Sequence, residues 1–324
     1  MASTANVLTR SSKAHPFRGY LYIAAAAFCW GLSATLGKAV FTGRLLGGEG
    51  IGRLDPVILS QARTTFSVLV LAPALLAWRG RAALTMTRRD ALRCMLLGAT
   101  GIAGSNFFYY YAIERTTVAT AIILQYTAPV WVLLYMVARR LDRPTPARIG
   151  GVAMAVAGSA LAIGMFGRSE FRADLLGVAA ALGAAFSFAL YNVGGRFLLE
   201  RQDRWKVVTY TLLGCSLFWL VVNPPWKVAA AGYSGAQWAF LAVFALVSML
   251  VPYSLYFSGL HHLDATRAVV TSCLEPVFAI LLAMVFLGES FGWLQAVGMV
   301  IVLAATILVQ RPERAEQVPT EHAP

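Results

Sequence analysis

Ten apolar runs of roughly 20 residues leave this chain a lipid bilayer to fold in; they fall at about 20–40, 57–78, 92–112, 117–138, 147–166, 174–196, 207–223, 236–258, 263–286 and 292–309. A bilayer core is about 30 Å thick, and ~20 helical residues cross it. Helices are implied because only a helix satisfies every backbone polar group within its own segment. A membrane barrel would need ~10-residue strands of alternating polarity, and none can be drawn. Composition agrees, with 58% hydrophobic and 13% charged residues, where a soluble domain carries about 25% charge. The expected fold is an all-α integral membrane domain of ten transmembrane helices.

Within those runs one stretch occurs twice. Tyr126-Thr-Ala-Pro129-Val-Trp-Val-Leu-Leu134, followed by Asp142 and Gly151, reappears 147 residues later as Cys273-Leu-Glu-Pro276-Val-Phe-Ala-Ile-Leu281, followed by Glu289 and Gly298. Trp30 to Lys38 likewise matches Phe188 to Arg196, at a spacing of 158 because a longer loop, Thr42 to Pro56, follows the first run. The chain thus divides into a tail (1–18), a five-helix half (19–168), a second five-helix half (169–310) and a C-terminal tail (311–324). Five is odd, so the second half enters the membrane from the opposite side. Inverted repeats of this kind build secondary transporters, with binding at the midplane.

The net charge of +12 is a topology signal. Arg79, Arg81, Arg88, Arg89 and Arg93 fill one loop, and Arg139, Arg140, Arg143 and Arg148 another. Arg10, Lys13, Arg18, Arg196, Arg201, Arg204, Lys206, Arg311 and Arg314 fall on the same side, while the other side holds only Arg44, Arg53, Arg115, Arg168, Arg172 and Lys227. That asymmetry places both termini in the cytoplasm of an inner (plasma) membrane protein and gives no reason to expect nucleic acid. The first run, preceded by ~18 polar residues, reads as a retained span and not a cleaved signal. Cys29, Cys94, Cys215 and Cys273 lie in apolar runs without metal-ligand spacing. No cofactor motif is present, since the Gly31 to Gly37-Lys38 spacing is wrong for a phosphate loop and lies inside a span.

Trp30-Gly31, Arg63, Leu274-Glu275-Pro276-Val-Phe-Ala, Leu287-Gly288-Glu289 and Gly298 together resemble the EamA family of the drug/metabolite transporter superfamily. In the first copy Arg140-Leu141-Asp142 stands where Leu-Gly-Glu is usual. The aromatic-rich interior is most similar to YddG-type exporters of aromatic and other amino acids. The resemblance implies that four helices of each half enclose a midplane cavity, with the fifth packing outside. It also implies alternating access by an exporter that needs no cofactor.

Several residues are candidates for that cavity. Glu275 is an acidic group at mid-span, costly unless paired, protonated or facing water; it is either a proton-coupling or ammonium-binding carboxylate, or a structural hydrogen-bonding residue. Its repeat equivalent, Ala128, carries no charge. Pro129 and Pro276 each remove a helical hydrogen bond, which frees a carbonyl or supplies a hinge. Gln125 and Ser272, one turn earlier in each copy, are placed to hydrogen-bond a ligand. Of the run Phe107 to Tyr111 at most two rings can share one face, and Asn106 with Tyr110, four apart, form the expected cavity pair, equivalent to Tyr253 and Phe257. Tyr109 matches Tyr256 and is expected to pack. Trp30, Ser33, Tyr191 and Asn192 occupy mid-span of segments 1 and 6, with Ser33 and Tyr191 equivalent and expected to face the cavity. Aromatic faces would hold an apolar substrate body and attract its ammonium.

Lys38 is expected near a headgroup and Arg63 near the outer end of segment 2, paired with a carboxylate or carbonyls. Small residues at Gly98/Gly101/Gly104, Gly151/Ala155/Gly158, Gly177/Ala181/Ala184 and Gly298 should let helices approach closely, within a monomer or a weak homodimer. The partners expected are therefore lipids and a small amphipathic metabolite, foremost an amino acid. A sugar, nucleotide-sugar or drug cargo is the alternative on the same fold. A membrane enzyme would need converging His, Asp or Glu groups, and His261-His262-Leu-Asp264 is the one such patch.

Overall fold

The computed structural model describes residues 15–41, 54–116, 118–164 and 174–310. Arg10, Lys13, Arg44, Arg53, Arg168, Arg172, Arg311 and Arg314, most of both tails, the Thr42 loop and the side chain of Lys38 lie outside them. The described residues contain no strand.

Helix α1 spans Pro16–Phe41 and α2 Pro56–Arg79. Helix α3 runs Arg88–Leu97, a π-helical stretch Gly98–Ala103 and Gly104–Arg115 without a break. Helix α4 is in two pieces, Val118–Gln125 and Ala128–Ala138, and α5 spans Pro146–Ile163. In the second half α6 is Leu175–Leu199 and α7 Arg204–Val222. Helix α8 runs Gly235–Ala245, a π-helical Leu246–Leu250 and Val251–His262. Helix α9 is again in two pieces, Ala265–Ser272 and Glu275–Leu287, and α10 spans Trp293–Gln310.

Among the described residues nine of these helices are long and apolar enough to cross a membrane, and this is a multi-pass membrane protein. The other is α3, whose glycines, Ser105, Asn106 and three tyrosines dilute its hydropathy although it runs unbroken from Arg88 to Arg115. The ends of the helices are written in the sequence. Asp55, Thr87, Thr145, Asp174, Asp203, Ser234 and Asp264 each accept a backbone N–H of the first turn that follows. Pro56 and Pro146 sit at first helical positions, where a missing N–H costs nothing. Gly288 closes α9 at φ +63°, a left-handed position that suits glycine.

Helix pairing repeats between the halves. The leading helix of each half packs against the third and fourth of the other: α1 against α8 and α9, α6 against α3 and α4. The second helices pair as α2 with α7, and the fifth as α5 with α10. The α5–α10 contact is built on Gly158 and Gly298: a Cβ at Gly298 would stand 2.7 Å from the Gly158 carbonyl oxygen. Such backbone proximity replaces the hydrophobic effect, which cannot drive association among lipid tails.

The repeat extends below the level of whole helices. The π-turn Leu246–Leu250 lies 147 residues on from positions 99–103, and the breaks before Pro129 and Pro276 are also 147 apart. Pro129 has no N–H for the Gln125 carbonyl, nor Pro276 for that of Ser272, so each helix is interrupted at one turn. π-turns of this kind concentrate at functional sites.

Candidate functional site: a cavity between the halves

Where the interrupted turns of α4 and α9 meet α1, α2, α3, α6 and α8, they leave a cavity of about 410 Å³. Its wall includes Trp30 and Ala34 of α1, Arg63 of α2, Ile102, Ser105, Asn106, Tyr109 and Tyr110 of α3, Ile122, Gln125, Tyr126, Ala128 and Pro129 of α4, Phe188 of α6, Tyr253 of α8 and Val269, Ser272, Cys273, Glu275, Pro276, Ala279 and Ile280 of α9. Helices α7 and α10 contribute nothing to that wall, so the second half lends three helices to it and the first half more. The cavity extends away from the arginine-rich face as far as Ile163, the last residue of α5.

Of the residues expected there, Trp30, Asn106, Tyr110, Gln125, Tyr253, Ser272 and Glu275 line the cavity, as do Pro129 and Pro276. Ser33 and Tyr191 do not. The Ser33 hydroxyl donates to the Cys29 carbonyl of its own helix at 2.7 Å, a bond that satisfies it without any cavity. Tyr191 is fully buried one layer behind the wall, its ring 5.7 Å from Tyr253 and 5.9 Å from Tyr256. Gly101 is what admits it, since a Cβ there would stand 2.9 Å from the Tyr191 Cβ. Tyr109, expected to pack, lines the cavity beside Tyr110, while Phe107 and Phe108 are exposed on the helix exterior. Arg63, expected near the outer end of segment 2 with a carboxylate or carbonyls for partner, lies in the cavity wall and donates to the Ser248 carbonyl.

The aromatic wall is a bonded layer. Trp30 meets the edge of Tyr253 at 5.4 Å and 74°, and lies 5.5 Å from Tyr256. Behind them the Tyr256 hydroxyl donates to Asn192 Oδ1, and Asn192 Nδ2 donates to the Phe188 carbonyl at 2.7 Å. Buried tyrosines of this kind find a partner for the hydroxyl and leave the ring face to pack. The polar wall is tied down as well: Gln125 Nε2 donates to Ser105 Oγ at 3.1 Å, which donates to the Ala184 carbonyl at 3.0 Å. Ser60 Oγ donates to the Tyr110 hydroxyl at 3.1 Å. The Tyr126 hydroxyl lies in hydrogen-bonding reach of the Glu275 carboxylate. Tyr126 is not among the residues expected in the cavity; its place next to an interrupted turn was the available signal.

Val269 of α9 lines the cavity, and the α9 residues between it and the arginine-rich face, Ala265, Thr266 and Ala268, are buried. Beyond them an ionic cluster joins the two halves. Arg148 of α5 pairs with Asp142, and its other nitrogen lies 3.6 Å from Asp264 at the start of α9. Arg267 holds Asp264 at 3.4 Å, and Thr266 Oγ1 donates to Asp142 at 3.3 Å. The one acidic residue of the His261-His262-Leu-Asp264 patch is therefore committed to an ion pair and a helix cap.

A profile of the EamA-like transporter family matches residues 17–164 and matches again over 175–311. The chain belongs to that family. The threonine/homoserine exporter RhtA of Salmonella typhimurium is 26% identical over 292 residues, 88% of this chain and 90% of its own. The uncharacterized inner membrane transporter YicL of the same organism is 22% identical over 300 residues, 92% and 96% of the two chains. A solved crystal structure shares the fold with TM-score 0.72 at 20% identity, covering 91% of this transporter and 98% of that chain. The family is one of transporters and not of enzymes.

Proposed function

We propose that this transporter exports small metabolites, foremost amino acids including aromatic ones, across an inner membrane by alternating access of its two halves around the cavity. The observation that carries this reading is the meeting of two interrupted helices, 147 residues apart, at one cavity that also holds Glu275. Interrupted helices expose carbonyls at the midplane where substrates of such folds bind. The Gln125 and Ser272 carbonyls, deprived of their helical donors, together with Glu275 form a site for an ammonium group. Trp30, Tyr110 and Tyr253 offer faces for the rest of the substrate, aromatic side chains included. A relative that exports threonine and homoserine supports the same substrate class. The arginine-rich face is cytoplasmic, so the conformation described is closed on that side.

The substrate class is tested by counterflow in proteoliposomes, with labelled amino acids set against sugars and tetraalkylammonium ions. Amino acids should exchange and the others should not. Exchange of sugars alone would overturn the reading. Glu275 is the coupling candidate because a carboxylate at this depth is costly and marks a substrate or proton path by default. Glu275→Gln should flatten the dependence of transport on pH; an unchanged pH profile would remove Glu275 from coupling.

A further inference from the structure

We propose that Arg63 is the carboxylate-recognising group of this cavity and that, with Glu275, it selects zwitterionic amino acids over their amines and esters. The proposal rests on the amino-acid reading above and adds the residue that reads the acid end.

A guanidinium among spanning helices is expensive and needs a reason to be there. Arg63 is held in place: one terminal nitrogen donates to the Ser248 carbonyl at 2.8 Å, and the guanidinium carbon lies 5.7 Å from the centre of the Phe244 ring. Ser248 belongs to the π-turn of α8, where widened helical spacing turns a carbonyl aside to meet the side chain. This cradle orients the cation without neutralising it. Among the described residues no carboxylate stands within ion-pairing distance of Arg63, and its Nε has no hydrogen-bond partner.

Glu275 is in the complementary position. The Tyr126 hydroxyl, a neutral group, lies within hydrogen-bonding reach of it, and among the described residues no cation stands within ion-pairing distance of it. One cavity thus holds a cation and an anion kept apart, Arg63 on α2 and Glu275 on α9. An α-amino acid carries the opposite charges at a fixed separation. Its carboxylate would accept from the free donors of the guanidinium fork, whose planar geometry matches it. Its ammonium would donate to Glu275. A ligand with one charge leaves the other wall group desolvated and unanswered, which is how a site rejects an analogue.

The test measures competition with labelled threonine counterflow by threonine, its methyl ester and its decarboxylated amine, using the full chain in proteoliposomes. In the parent protein the ester and the amine should compete about 10- to 100-fold more weakly, the size of a charge-assisted contact. In Arg63→Gln and in Arg63→Met that ratio should collapse towards one, through weaker threonine binding and not tighter amine binding. The ratio is taken within each preparation, so a loss of folded protein cancels, and a purely structural clamp between α2 and α8 would not move it. A parent protein that does not discriminate, or variants that discriminate as it does, would overturn the assignment of Arg63 while leaving amino-acid export standing. A parent protein with no threonine counterflow would instead sink the export reading, and this proposal with it.

Discussion

Gly214→Leu should leave no monodisperse folded transporter. Where α3 crosses α7 the two backbones touch: a Cβ at Gly214 would fall on the Met95 backbone, and one at Gly98 on the backbone of Thr211. A clash with the tip of a side chain is relieved by a rotamer change, but a clash with backbone moves a whole helix. Overpacking costs about 1–3 kcal/mol where side chains can give way, and a leucine against backbone lies at or beyond the upper end. That is a large part of a stability of about 5–15 kcal/mol. Gly292→Leu is the control, because nothing stands within 4 Å of a Cβ there. Size exclusion in detergent and thermal melting decide. A Gly214→Leu protein that elutes and melts like the parent would mean that α3 and α7 do not pack backbone to backbone.

Removing Arg148 should open the arginine-rich face. The Arg148 and Asp142 side chains are 10% and 6% exposed, and deleting one partner of a buried pair costs about 3–5 kcal/mol because the other charge is stranded. Arg148 and Asp142 both belong to the first half, so that pair does not depend on the other half. What crosses is the Arg148 contact with Asp264 at 3.6 Å and the Thr266 bond to Asp142, and the loss of that crossing falls on the closed arrangement and shifts the population towards the open one. In a background without native cysteines, Val269→Cys, buried on the cavity wall, should become reactive from that face when Arg148→Ala is added. The melting temperature should fall as well. The double change Arg148→Met with Asp142→Asn removes both charges, and should recover most of the stability while keeping Val269→Cys reactive. No labelling of Val269→Cys in either background would show that the cluster does not hold the halves closed.

How far the sequence could be read follows from what kind of signal each feature leaves. Spans, caps and the 147-residue repeat are carried by local chemistry, and they survive into the fold nearly residue for residue. Helix rotation is not carried that way. A helix apolar on all sides has no polar stripe to say which face turns inward, so Ser33 and Tyr191 could not be told from Trp30. What decides is a tertiary fit, Gly101 against Tyr191, which only the neighbouring helix supplies. The π-turns were hidden for a related reason: Gly98 and Gly101 hint at the first, but the second is Leu-Val-Ser-Met-Leu and looks like any span. Arg63 was visible as a cation, yet its place in the cavity depends on Ser248, 185 residues away. The ionic cluster joins Asp142 and Thr266 across 124 residues, beyond the reach of any pattern along the chain.

Under the export mechanism proposed above, the halves separate at the arginine-rich face in every transport cycle. A reversible cross-link between Asp142→Cys and Thr266→Cys, whose parent side chains touch at 3.3 Å, tests it in proteoliposomes carrying out threonine counterflow. With the link formed, counterflow should cease, and reduction should restore it in the same vesicles. Counterflow that continues with the link complete would mean that the halves do not separate at this face during transport.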